Sequence, residues 1–203
     1  MTVKSFPHAA FALLCATIVA AGHLVAAGQA SRRDADQMRQ KVASISQFAT
    51  RPAREARRTT VTENEVNAYL AYDGATDLPA GVVEPVVTIL GTGRVSGRAI
   101  VDLDAVRKLK QPSSMFDPAN FLTGRLPITA TGVLTTNNGV GRFQLESATV
   151  GGMPVPKTML QQIVSAYSRS PQNPSGINLD DPFELPARIR EIQVERGQAV
   201  VVQ

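Results

Sequence analysis

The residues best placed by type and spacing to do chemistry are two carboxylate pairs. Asp102 and Asp104 stand two apart at the end of a predicted strand, and Asp180 and Asp181 lie in NLDDPFELP with Glu184 nearby. Residues two apart on a strand share a face, and paired carboxylates act as acid and base in glycoside hydrolysis. That chemistry also needs a sugar-binding surface, and here aromatic residues are only 5% of the chain, with no Trp. Turn chemistry is the better expectation for both pairs, with Asp104 capping a turn and Asp180-Asp181-Pro182 forming one. Asn178, Asp180 and Asp181 offer at most a weak calcium site, since no twelve-residue loop pattern surrounds them.

The other reactive residue types are missing from most of the chain. His8, His23 and Cys15 all fall in the N-terminal apolar segment, and beyond it there is no His, Cys or Trp. Without that segment, nucleophilic triads, histidine bases and His/Cys metal sites are excluded. A Ser-Lys pair is formally left, but no S-x-x-K occurs, and Lys41, Lys108, Lys110 and Lys157 sit at predicted exposed positions. Gly91-Thr-Gly93-Arg-Val-Ser-Gly97 has the wrong spacing for a phosphate loop, and its last Gly falls inside a predicted strand; a β-turn is expected. The sequence calls for no catalytic residue, no metal and no cofactor.

An apolar run from Ala9 to Ala27 is interrupted only by Thr17, Gly22 and His23, and ends in small residues at Val25-Ala26-Ala27 and Gly28-Gln29-Ala30. This is the pattern of a secretory signal over residues 1–30. The alternative is an uncleaved anchor, for the run is near the length that spans a bilayer. Either way the rest of the chain is expected in the periplasm or cell envelope, folded without disulfides. The net charge is +4, with a local excess at Arg51, Arg54, Arg57 and Arg58 in RPAREARR. A basic exported chain meets anionic envelope components more often than nucleic acid, and no aromatics interleave the cluster. The plainer expectation for the cluster is a solvated linker.

The elements that must carry any site follow from periodicity. Met38, Val42, Ile45 and Phe48 mark one helix face within 34–50, so residues 31–59 are expected to form a helix and a basic linker. Thr62-Glu63-Asn64-Glu65 is a capping box, followed by Val66, Tyr69 and Leu70 on one face, with Gly74 expected to end the helix in the left-handed conformation. From Val82 the period changes to two. A strand is predicted over Val82–Leu90, with Pro85 marking an edge or bulge, and another over Arg94–Leu103, with Val95, Gly97, Ala99, Val101 and Leu103 on one face. A hairpin turns at Asn137-Asn138-Gly139, with Phe143 and Leu145 facing the core. A second amphipathic helix carries Leu160, Ile163, Val164 and Tyr167, and two strands near Ile189–Val194 and Gln198–Val202 close the chain. The fold class is α+β: an antiparallel sheet with one or two amphipathic helices on its apolar face, in a single domain over 60–203.

Three segments carry a resemblance. Thr62-Glu-Asn-Glu-Val-Asn-Ala-Tyr-Leu70 resembles the opening of exported bacterial proteins of unknown function, and Gly97-Arg-Ala-Ile-Val-Asp-Leu-Asp104 fits the same pattern. Leu145–Leu160, a strand entering a helix through V-G-x-x-x-P, resembles the YpmS-like and LmeA-like envelope proteins, which look similar to half of a tubular lipid-binding (BPI-like, TULIP) domain. The resemblance implies a curved sheet wrapped around a helix, and a lipid or lipophilic small molecule as partner. It brings no catalytic residues.

The expected binding wall is therefore apolar: Val95, Ala99, Val101, Phe143, Leu145, Leu160, Ile163, Val164 and Tyr167 would line a groove between sheet and helix. The competing expectation is an envelope adaptor with a filled core, binding a protein partner or an anionic membrane surface through Arg51–Arg58.

Overall fold

The computed structural model describes residues 31–51, 55–74, 78, 81–105, 124–168 and 173–203, without the side chains of Ala166 and Tyr167. The described chain is mixed α+β. A six-stranded antiparallel sheet is built in the order β2 (Val82–Gly91), β3 (Arg94–Asp102), β4 (Arg125–Asn137), β5 (Val140–Val150) and β6 (Met153–Pro154), with β7 (Phe183–Glu184) also pairing β5. A smaller sheet has β9 (Gln198–Val202) between β1 (Arg58–Thr62) and β8 (Glu191–Glu195). Three helices accompany them among the described residues: α1 (Arg32–Ala49), α2 (Glu63–Tyr72) and α3 (Lys157–Ser168). None of these is long and apolar enough to cross a membrane.

Local sequence dictates the turns of the large sheet. Asn138 and Gly139 both take positive φ (49° and 83°), the conformation a two-residue hairpin needs to match strand twist. Thr92 and Gly93 do the same between β2 and β3, so Gly91–Gly97 is a β-turn and strand. Pro85 lies in a register break between Val83 and Val86, on the edge strand, as a residue without an N–H requires. Along β3, Val95, Gly97 and Ala99 are buried while Arg94 and Arg98 are exposed. Leu103, however, leaves the strand and starts a helical turn.

One bulge changes which residues of β5 face inward. Gly132 pairs with Leu145 but Thr131 pairs with Ser147, so Glu146 is the extra residue. An inserted residue reverses the parity of everything beyond it. Phe143 and Ala148 are consequently both buried, five positions apart.

The segment Thr62–Asn67 is a joint between four elements. The capping box forms as the spacing predicts: the Glu65 amide donates to Thr62 Oγ1 (3.3 Å) and the Thr62 amide to Glu65 Oε2 (2.8 Å). Glu63 Oε2 accepts from the Ile89 amide (2.7 Å), and Asn67 pairs with both backbone groups of Val87 (2.7 Å each). These side chains stand in for the missing neighbour of edge strand β2, which shields its open hydrogen-bonding groups. The Glu63 amide donates to Gly197 O (2.9 Å), and the Gly197 amide to Ile89 O (2.8 Å), tying in the small sheet.

Several sequence expectations are corrected. The fully buried residues of α2 are Glu65 and Ala68, not Val66, Tyr69 and Leu70, because the helix is pressed between α1 and β2. Gly74 is not left-handed; α2 ends at Asp73 in right-handed geometry, and Gly74 is buried beside Leu70. Asp102, rather than Asp104, caps the turn, accepting from the Ala105 amide (2.9 Å), while Asp104 accepts from Gly124 N (3.0 Å). Arg58–Thr62 is a strand, paired across the whole chain with β9.

Candidate functional site

The face of the large sheet that α3 packs on is floored by small residues. Gly97, Ala99, Ala130, Gly132 and Ala148 are all buried there, and the strand pairing puts Gly97 beside Ala130, and Ala130 beside Ala148. Helix α3 lies on this floor, with buried Leu160 packed against Ala130 and Ala148, and Leu145, Val155, Val164 and Leu179 around it. A second cluster joins Val95 and Phe143, with Leu134, Leu145, Phe183 and Val194 packed against them.

The sequence-derived wall divides accordingly. Leu145 belongs to both clusters, Leu160 and Val164 to the first, and Val95 and Phe143 to the second. Ala99 is buried, while Val101 and Ile163 are half-buried. The side chain of Tyr167 lies outside the described residues. The flank of α3 beside Leu160 and Val164 is held to backbone of the segment that follows it, while Thr158 and Gln162 are exposed. Gln161 donates to Ile177 O (3.0 Å) and accepts from the Leu179 amide (2.7 Å), and Ser168 Oγ accepts from the Ile177 amide (2.6 Å). At the end of the sheet near the Gly151-Gly152 turn, apolar side chains stay in water: Met153 is 70% exposed and Met159 49%. Methionines adapt to irregular apolar partners.

Glycine is required in the floor for space. A Cβ on Gly132 would meet the Phe143 ring and, at 2.6 Å, the carbonyl oxygen of Gln144. The Phe143 ring thus occupies the volume a side chain would need, as Phe183 does over Gly141.

The basic cluster is not a solvated linker where the structure describes it. Arg57 is half-buried, donates to Ser44 Oγ (2.6 Å) and stacks over Phe48, and its backbone pairs with Gln203. Arg58 donates to Gln193, and Arg51 O accepts from Arg188 (3.1 Å). The reason is that this stretch leads into β1, so its residues are held by sheet pairing. Arg54 lies outside the described residues, as do His8, His23 and Cys15.

Sequence reasoning also misplaced Lys41. It is not exposed but bonds both oxygens of Glu65 (2.6 and 2.7 Å) and Thr60 O (2.7 Å). Glu65 is only 5% exposed. Burial pushes its carboxyl up, but hydrogen bonds from Lys41 and the Thr62 amide, with the Lys41 charge, outweigh burial and hold it below its ordinary 4.5. The pair forms part of a polar cleft of about 480 Å³ between α1 and β1, with Ser44, Arg57 and Thr59. The only local signal for it was the capping box, which says nothing of the distant lysine.

The carboxylate pairs serve turns. Asn178 donates to Asp181 (2.9 Å) and accepts from the Asp180 amide (3.1 Å), and Asp180 is ion-paired with Lys157 at the start of α3. Comparison with known proteins gives no counterpart: no family model, curated protein or solved structure matches this chain.

Proposed function

We propose that this chain is a non-enzymatic protein of the cell envelope, exported by its N-terminal segment, that holds a lipid or other lipophile between its sheet and α3. The observation that carries this is the small-residue floor on which, among the described residues, the twelve-residue α3 lies, with Val101 and Ile163 only half-buried and two methionines exposed at one end. A floor of Gly and Ala lets an apolar chain approach the backbone, and apolar walls are what such ligands need. The similarity of Leu145–Leu160 to half of a tubular lipid-binding domain supports the same reading, as does a curved antiparallel sheet packed on a helix.

A second reading has its own observation. Leu160 interlocks with Ala130 and Ala148, and Val95 with Phe143, as in a filled core. A filled core would make the chain an envelope adaptor that works through its surface.

Ile163→Asp separates the two. Ile163 is half-buried, so the variant is expected to fold. A buried carboxylate beside an acyl chain is costly, so uptake of a fluorescent fatty acid should fall by about tenfold or more, with circular dichroism unchanged. Uptake at the wild-type level by the folded variant would remove this wall from the site.

A further inference from the structure

The other face of the large sheet, away from α3, carries different chemistry from its floor. Cross-strand pairing places Val86 beside Arg98, and Arg98 beside Thr129, while Arg142 pairs with Thr135 on the same face. Arg98 and Arg142 are exposed, and neither makes an ion pair among the described residues. The acidic residue in their midst, Glu146, is already bonded to Arg94 (2.8 Å). Val86, paired with Arg98, is 39% exposed, and Leu90, in the register break just before the Gly91–Arg94 pair, is 41% exposed. The same face also carries the Ile100–Pro127 and Val133–Gln144 pairs, the Asp102–Arg125 pair, and hydroxyl residues, with Ser147 donating to Thr131 (3.2 Å).

We propose that this face docks the protein on an anionic lipid bilayer. Unpaired guanidinium groups give charge complementarity to lipid phosphates, and aliphatic side chains between them suit the interface of a bilayer. An acidic polysaccharide would use the arginines but leave Val86 and Leu90 without a partner. The arginines of the N-terminal cluster are poorer candidates, because Arg57 and Arg58 are spent on Ser44 and Gln193. The proposal rests on the envelope location given above and not on a ligand inside the fold.

The test is co-sedimentation of the full protein, as recovered from cells, with vesicles of phosphatidylcholine alone or mixed with phosphatidylglycerol. The wild type should bind the anionic vesicles and release them as salt rises, because exposed charges are screened within about 10 Å at 0.1 M. Arg98→Glu with Arg142→Glu should weaken binding by about tenfold or more. The control, Arg33→Glu with Arg196→Glu, makes the same change in net charge on other exposed arginines and should bind like wild type. If the first variant does not fold, Arg98→Gln with Arg142→Gln replaces it, with the same direction of effect. No binding by the wild type, equal binding by all variants, or equal loss in both charge-reversed proteins would overturn the proposal. So would binding to soluble polygalacturonate with none to vesicles. Co-purified lipid is measured separately by mass, so failure here leaves the interior site standing.

Discussion

Gly132→Ala is expected to destabilise the fold by about 3 kcal/mol, the upper part of the range for overpacked cores. The added methyl has two neighbours, and they differ in how far they can yield. The Phe143 ring can rotate only by leaving Val95 and Leu134, which it packs against. The Gln144 carbonyl, 2.6 Å from the new carbon, is held in the β4–β5 ladder. For a domain of this size that loss lowers the melting temperature by about 6–12 °C, measurable by calorimetry. Phe143→Leu added to Gly132→Ala should recover part of the loss, because the two sites are in contact and do not add. A double variant that is the sum of its parts would show that the ring is not what excludes a side chain.

The Lys41–Glu65 pair has the next largest expected effect. Lys41→Met leaves Glu65 buried with only its Thr62 bonds, at a cost of about 2 kcal/mol at pH 7. The figure is below that for a fully buried pair because the Lys41 side chain is 30% exposed. The pH dependence fixes the cause. In the wild type the Glu65 carboxyl is held below 4.5, so its contribution is present above that pH and is lost as pH falls through the lower folded value. Without Lys41, burial raises the carboxyl, and protonation relieves the variant as pH falls. The stability gap between the two proteins, read from urea unfolding, should therefore narrow between pH 7 and pH 4. A gap that stays constant would mean that Lys41 contributes by packing.

What the sequence made legible was set by short-range rules. The Asn138-Gly139 turn, the break at Pro85 and the alternation of Val95, Gly97 and Ala99 each follow from a few neighbouring residues. The capping box at Thr62 was equally local. What was not legible depends on partners far away in the chain. Arg58–Thr62 pairs with Gln198–Val202, and nothing near Thr60 names that partner, although a Thr-Thr-Val-Thr run is β-branched throughout. The fate of Lys41 turned on Glu65, which belongs to another helix. The bulge at Glu146 was signalled only by the change of parity from Phe143 and Leu145 to Ala148 and Val150.

The same contrast applies to the candidate site. Periodicity put Val95, Phe143, Leu145, Leu160 and Val164 on apolar faces, where the structure packs them into clusters, because apolar faces repeat. It could not find that Leu160 sits on Ala130 and Ala148, or that Leu179 packs into the same cluster and is tied to Gln161. The motif Thr62–Leu70, which carried part of the resemblance, has polar residues that bind strands, helices and the C-terminal hairpin. It marks a way of joining this fold together, and its chemistry is structural.

The most direct test of the central claim is native mass spectrometry, with lipid extraction, on the protein recovered from the cell envelope without detergent. The account predicts a stoichiometric lipid or lipophile, one per chain, that survives gentle desolvation. A bare polypeptide mass that stays bare after lipids are added back would contradict it, and would leave the filled-core adaptor in its place.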